Sequence, residues 1–246
     1  AWLVVFGKLL RKRIIISFHG GAAKEFFNNN LNFLARDIMR IADKIVVPSS
    51  YVKEALVRFD VSSKIINNFL DFNLFKFRER KKLRPYFIVT RHLEPIYNIE
   101  FLLKVFYEVL RDFPDAKFWI CGDGSQREFL KKIVIELGIE NNVYFEGSVD
   151  NSLLPRLYEK ADIFLNGSLV DNCPVAILES FACGLAVVTT DVGGIPFLVK
   201  NEVNGLTVKI NDRNSMCSCI KRLLRDNVLA AMLIRNAAMT LTQYSW

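Results

Sequence analysis

Short β-rich apolar runs and helical patterns alternate along almost all of this 246-residue chain, and that alternation restricts the fold more than any other feature. Candidate strands lie at Arg13–Phe18, Lys44–Pro48, Tyr86–Thr90, Lys117–Cys121, Val143–Phe145, Asp162–Leu165, Ala186–Thr189 and Gly205–Val208. Candidate helices lie between them at Lys24–Ile41, Ser50–Phe59, Ile99–Arg111, Gln126–Leu137, Asn151–Lys160, Pro174–Cys183 and Arg213–Arg225. Strands separated by helices pair in parallel, and a parallel sheet is covered by helices on both faces. The expectation is an α/β protein. With 51% apolar and 24% charged residues the chain reads as globular rather than disordered, and no apolar run is long enough to span a bilayer.

A charge-rich stretch, Arg78–Arg84, follows an Asn- and Asp-containing loop at Asn67–Asn73, and a fresh βα series starts at Tyr86. This predicts a domain boundary near residue 82, giving a first domain over 1–82 and a second over 83–246. The first holds only two or three strands, so it is expected to be incomplete at its beginning. The formal charge of +7 suits anionic partners. No aromatic residues interleave with the basic run to stack bases, which argues against nucleic acid. Basic residues at Arg11–Arg13 could face anionic lipid, with a solvated helix end as the alternative. The five cysteines fit no zinc spacing and are expected to be reduced, cytosolic thiols.

In open parallel sheets ligands bind beyond the carboxyl ends of the strands. Gly20-Gly21, Gly122-Asp123-Gly124 and Gly193-Gly194 all follow strands. Glycine there admits a close ligand, but a tight βα turn needs it as well. Neither a dinucleotide fingerprint nor a phosphate loop is present: Gly122-x-Gly124 is followed by Arg127 where a third glycine would stand. The segment Asp171-Asn172-Cys173-Pro174-Val175-Ala176-Ile177-Leu178-Glu179 carries more information. Pro174 suits the first turn of a helix that is apolar nearly all round, with only Glu179 and Ser180 polar. A carboxylate in such a helix is costly unless paired or hydrogen-bonded. Asp171 and Glu179 are expected to flank a helix N-terminus that attracts an anion. That arrangement suits a sugar diphosphate, with hydroxyls on the carboxylates and phosphates on backbone N–H groups. The competing reading makes Asp171 a helix cap and Glu179 half of an internal ion pair.

The pair Asp171 and Glu179, with the following Phe181–Pro196, resembles the E-x7-E region of retaining family-four glycosyltransferases of the GT-B fold. Other pieces agree in order. Arg91 opens the loop after strand Tyr86–Thr90, Cys121–Gly124 is similar to the family's GDG turn, and Phe145–Val149 to its base-binding turn. Ala42–Ser49 resembles the last part of the family's N-terminal domain. The resemblance implies two Rossmann-like domains with parallel sheets. It implies transfer of a sugar from a nucleotide diphosphate sugar to a glycan, lipid or small-molecule acceptor with retention of configuration. No cofactor besides that donor and no metal is implied, and no D-x-D pair stands at a strand end.

The resemblance also assigns roles. Glu179 would bind the donor ribose, Asp171 and the backbone of Asn172, Cys173, Pro174 and Val175 the transferred sugar, Arg91 the diphosphate, and Gly147–Val149 the base. Gly122 joins the donor set, and His19-Gly20-Gly21 would face the cleft, although for His19 a core or surface role stands beside catalysis. Asp171, Arg91 and His19 are the candidate catalytic residues. The chain departs from the family where Arg91-His92-Leu93-Glu94-Pro95-Ile96-Tyr97-Asn98 lacks the usual Lys, where Asp171 replaces the first Glu, and where Phe197 follows Pro196. The alternatives are a degenerate, non-catalytic sugar-nucleotide-binding protein and a sugar-nucleotide epimerase of the same fold.

Overall fold

The structure, a computed structural model, describes residues 2–20, 33–58 and 60–244. The chain divides into two compact units. The smaller comprises Ala1–Asn68, Val170–Cys173 and Gly193–Leu198; the larger comprises Phe69–Leu169, Pro174–Val192 and Val199–Trp246.

The smaller unit runs through α1 (Trp2–Leu9), β1 (Ile15–Ser17), α2 (Phe33–Ile41), β2 (Lys44–Val47), α3 (Ser50–Val57) and β3 (Lys64–Ile65). Its strands pair in parallel in the order β1-β2-β3. Met39, Ile45, Val47, Tyr51, Val52, Ala55, Leu56 and Val61 form its core. Ser49 starts α3 because its hydroxyl accepts from the backbone N–H of Val52, as a helix cap should. The apolar opening of the chain is helical, and β3 is a two-residue strand too short to leave a periodic signal. Of the helix expected over Lys24–Ile41, the described part spans Phe33–Ile41; the rest lies outside the described residues.

The larger unit continues with β4 (Tyr86–Thr90), a 3₁₀ turn at Pro95–Tyr97, α4 (Ile99–Leu110), β5 (Lys117–Cys121), α5 (Arg127–Glu136), β6 (Val143–Gly147), α6 (Leu154–Lys160), β7 (Ile163–Asn166), α7 (Val175–Ala182) and β8 (Ala186–Thr190). After α8 (Ile195–Leu198), which belongs to the smaller unit, come β9 (Leu206–Val208), α9 (Arg213–Arg225) and α10 (Asn227–Thr240). All strands are parallel, in the order β6-β5-β4-β7-β8-β9. The strands therefore read as continuous apolar runs, and β7 and β8 are buried at every position. Asp212 and Asp226 cap α9 and α10 through their carboxylates. Helix α10 was not foreseen from sequence. Its apolar residues are spread broadly around it, so it shows little of the one-sided periodicity that marks a surface helix. Among the described residues no helix is long and apolar enough to cross a membrane.

The units divide after Asn68, well before the boundary expected near residue 82, and Arg78–Arg84 belongs to the larger unit. Arg78, Arg80 and Arg84 converge on Asp162, just before β7, which is 1% exposed. Arg84 binds both carboxylate oxygens, Nε to Oδ2 at 2.9 Å and Nη2 to Oδ1 at 2.9 Å, and its backbone N–H adds a bond of 2.7 Å. Arg80, itself buried, donates Nε to Asp162 Oδ1 at 3.0 Å. Its other nitrogens reach the carbonyls of Cys183 (2.6 Å), Gly184 (2.8 Å), Ala161 (2.8 Å), Arg78 (3.0 Å) and Tyr158 (3.2 Å). One guanidinium thus binds carbonyls at the C-terminal ends of both α6 and α7, where a cation also opposes the helix dipoles. A run of charges in the sequence conceals which member is buried; only the packing distinguishes Arg80.

Candidate functional site

The reversal of strand order in the larger sheet lies between β4 and β7. Beyond the carboxyl ends of two such strands the backbone connections depart to opposite sides and leave a crevice. Thr90 and Arg91 stand at the end of β4, and Asn166, Gly167 and Ser168 at the end of β7.

Two polar systems meet there. In the first, buried Glu179 in α7 accepts a hydrogen bond from the Tyr158 hydroxyl in α6 (2.8 Å to Oε2), and that hydroxyl lies 2.7 Å from Thr90 Oγ1. The ion-pair alternative for Glu179 gives way to a phenol partner. Burial raises the Glu179 carboxyl above the usual range, while the Tyr158 hydrogen bond and the charge of Arg91 oppose that rise. In the second system, Arg91 Nε donates to Asn166 Oδ1 at 3.3 Å across the reversal point, and its guanidinium lies 5.3 Å from the centre of the Tyr97 ring. Asn166, fully buried, also accepts from Ser168 Oγ (2.9 Å) and donates to Thr189 Oγ1 (3.0 Å). A carboxylate and a guanidinium therefore occupy one edge of the sheet, each held by a buried neutral residue. Such an array can accept hydrogen bonds from hydroxyls and receive an anion.

The strand-end glycines have a packing role of their own. A Cβ on Gly122, whose φ is +145°, would lie 1.9 Å from the Arg91 carbonyl oxygen, and one on Gly124 would lie 2.6 Å from that of Leu93. These glycines let the Gly122–Gly124 turn bind the loop after β4, through Arg91 N–H to Cys121 O at 3.0 Å and Leu93 N–H to Asp123 O at 2.9 Å. Glu94 adds bonds to the backbone N–H and hydroxyl of Ser125, at 2.9 and 2.6 Å. Gly122 N–H in turn donates to Gly147 O at 2.7 Å, joining the turns after β5 and β6; half-buried Val149 follows on.

Asp171, Asn172 and Cys173 group with the smaller unit, whereas Pro174, Val175 and Glu179 lie in the larger. Asp171 does not cap α7: Pro174 occupies that position, and Asp171 Oδ1 instead accepts from the N–H of Asn172 at 2.8 Å. Within the smaller unit, Ser49 Oγ donates to Asn172 Oδ1, and Asn68 Nδ2 donates to the Cys173 carbonyl at 2.9 Å. Gly193 and Gly194 pack on this segment so closely that a Cβ would lie 1.9 Å from Asp171 O or 1.8 Å from Asn172 O. His19 is exposed, with Nε2 2.7 Å from Ser17 Oγ, and Gly20 follows it; Gly21 lies outside the described residues. The five cysteines are free thiols, and burial pushes Cys121, Cys173 and Cys183 up to about 12, which leaves them protonated and poor nucleophiles.

Thr90, Tyr97, Tyr158, Asn166, Ser168 and Thr189 escaped the sequence reading. Asn166-Gly167-Ser168 after an apolar strand was a legible signal, because a polar amide ending a buried strand must be hydrogen-bonded. Tyr158 carried none, since an aromatic in an amphipathic helix looks like ordinary core.

Residues 71–240 match the family model described as Glycosyl transferases group 1. The chain is 32% identical over 150 residues to an uncharacterized glycosyltransferase of Methanocaldococcus jannaschii, covering 61% of this chain and 38% of that protein. It is 24% identical over 232 residues to N-acetyl-alpha-D-glucosaminyl L-malate synthase of Bacillus anthracis, covering 89% of this chain and 60% of that one. The chain thus spans less than two thirds of the length of these relatives. Its fold is similar to that of HepE from Anabaena, solved in complex with UDP and glucose. The TM-score is 0.84 at 20% identity, with 98% of this chain and 70% of that one covered.

Proposed function

The chain belongs to the glycosyl transferases group 1 family, and from that premise we propose that its larger unit binds a nucleotide diphosphate sugar whose sugar the whole protein transfers to a glycan, lipid or small-molecule acceptor. The observation that carries this reading is the placement of buried Glu179, held by Tyr158, and of Arg91, held by Asn166, at the carboxyl edge of the sheet where the strand order reverses. Glu179 accepts from the donor ribose. Arg91, a fixed charge with a planar fork of donors, binds the diphosphate, and the N-terminal N–H groups of α7 add a favourable dipole. Charge gathering on the leaving diphosphate meets the same groups, so the reading needs no metal ion. The turns at Gly122 and at Gly147–Val149 border the base. The backbone of Pro174 and Val175, in the same unit, contacts the transferred sugar, which leaves with retention of configuration, as in the glycosyltransferases this chain resembles. The relative solved with UDP and glucose supports a nucleoside diphosphate as ligand.

The loop after Arg91 lacks the usual Lys, and the structure offers a different means of organising it. Asn166 and the Tyr97 ring hold the guanidinium, while Glu94 binds the loop to Ser125. UDP or GDP at a hundred times its dissociation constant is expected to stabilise the protein by about 2.7 kcal/mol, read as a rise in melting temperature. If no nucleotide diphosphate or nucleotide sugar of a broad panel binds or raises that temperature, the reading fails.

The reading extends to a peripheral, cytoplasmic contact with membrane lipid. Helix α1 exposes Trp2, Leu3, Phe6 and Leu9 beside the basic residues Arg11–Arg13. The protein is expected to sediment with vesicles containing acidic lipid and to leave them as salt is raised. Equal recovery with neutral vesicles, or none with either, removes this extension.

A further inference from the structure

Tyr158 is fully buried, and its hydroxyl lies 3.4 Å from the Ala176 carbonyl of α7 as well as against the polar side chains of the site. It donates to Glu179 Oε2 at 2.8 Å, with Thr90 Oγ1 2.7 Å away on its other side. Its ring is braced edge-on by Phe75 (centroids 6.1 Å apart) and obliquely by Phe164 (6.4 Å). Both hydrogen-bonding capacities of the phenol are thereby used, as burial demands. A carboxylate on a three-torsion side chain turns freely unless one oxygen is engaged, and here Oε2 is engaged from a rigid neighbour.

We propose that Tyr158 is a positioning residue that fixes the Glu179 carboxylate so that Oε1 meets a ribose hydroxyl, which makes the site select ribonucleoside diphosphates over their deoxy counterparts. This rests on the donor reading above. The groups acting on the carboxylate are consistent with it. Tyr158 and Arg91 oppose the effect of burial on Glu179, and Cys183, one turn further along, is a thiol pushed up to about 12 by burial. Burial, and then the neighbouring Glu179 charge, raise the phenol well above its ordinary range, so Tyr158 remains a donor throughout neutral pH.

The test titrates the wild type, Tyr158→Phe and Thr90→Val with UDP and GDP and with their 2′,3′-dideoxy forms. The phenylalanine keeps the ring packing and removes only the hydroxyl. It is expected to bind the ribonucleotides about tenfold more weakly, the scale of one hydrogen bond to a charged group, and the dideoxy forms as well as the wild type does. With its donor gone, the Glu179 carboxyl rises further, so ribonucleotide binding falls away at a higher pH on acidification than in the wild type. Thr90→Val, which leaves the phenol in place but unbraced, is expected to show the same selectivity in smaller measure and decides the matter should Tyr158→Phe not fold. Equal losses for ribo and dideoxy ligands, or unchanged discrimination between them, overturn the proposal and leave the donor reading standing. A wild type that binds none of these nucleotides overturns both.

Discussion

Asp162→Asn is expected to cost the larger unit about 3–5 kcal/mol of stability, because it leaves the buried Arg80 guanidinium without its carboxylate. Most of that cost comes from Arg80. Arg78 and Arg84 are close to half exposed and lose only the small increment of surface ion pairs. For a unit of this size the loss corresponds to a fall of roughly 6–20 °C in melting temperature, to be read by circular dichroism. A change below about 1 kcal/mol would show that water replaces the carboxylate, and would remove the clasp as a stabilising element. The effect depends on pH with a definite sign. Burial tends to raise the Asp162 carboxyl, but the hydrogen bonds from Arg84 and the charges of Arg84 and Arg80 prevail and hold it below its ordinary 3.8. A carboxylate depressed in the folded state stabilises above its unfolded value. The contribution is therefore intact above about pH 4 and is lost as acid carries the pH down through the lowered folded value. Because Arg80 also binds carbonyls at the ends of α6 and α7, the substitution is expected to loosen the helices that carry Tyr158 and Glu179.

Glu179→Gln is expected to separate binding from stability. Under the donor reading it removes the charged acceptor of the ribose and weakens UDP or GDP binding by about 2–3 kcal/mol, on the order of 30- to 150-fold. The nucleotide-free protein is expected to be as stable as the wild type, or more stable, at neutral pH. The reason lies in the sign of the linkage. Burial raises the Glu179 carboxyl in the folded state, so the ionised form is a liability there. Stability tied to this group is fully present below the ordinary 4.5 and declines as pH rises through the elevated folded value; a neutral amide escapes that decline. Calorimetric titration and thermal melts on the same preparation test both halves. Unchanged affinity would remove Glu179 from the donor site, and a large fall in melting temperature would make it a structural residue. A destabilising carboxylate retained in a buried helix is what a binding site, rather than a core, requires.

The two residues show how differently the chain discloses its parts. Glu179 was legible because a single carboxylate in an apolar helix contradicts its surroundings, and a contradiction of that kind must be resolved by a partner. Asp162 was not, because an acidic residue before a strand is commonplace and its three arginine partners lie in sequence where a domain boundary was expected. The strands of the larger unit were legible almost to the residue: β4 and β5 as expected, β6, β7 and β8 within one or two positions. Fully buried parallel strands are apolar throughout, and polar turns delimit them. Short or evenly apolar elements, β3 and α10, left no period to read.

The sequence by itself determined the alternation of strand and helix, the parallel character of the sheets, and the presence of a buried carboxylate on α7. These follow from local periodicity and from the cost of an unpaired charge, and both are properties of residues close together along the chain. Only the tertiary structure decided that Tyr158 from α6 holds Glu179, that Asn166 and Tyr97 hold Arg91, that Arg80 rather than its basic neighbours is buried, and that the glycines of the Gly122–Gly124 turn face the loop after β4. Each of these joins residues from separate elements, and in a sheet ordered β6-β5-β4-β7-β8-β9 the strand neighbours on either side of the reversal point are far apart in sequence. The hydrogen bonds that shape the site exist only once that order is fixed.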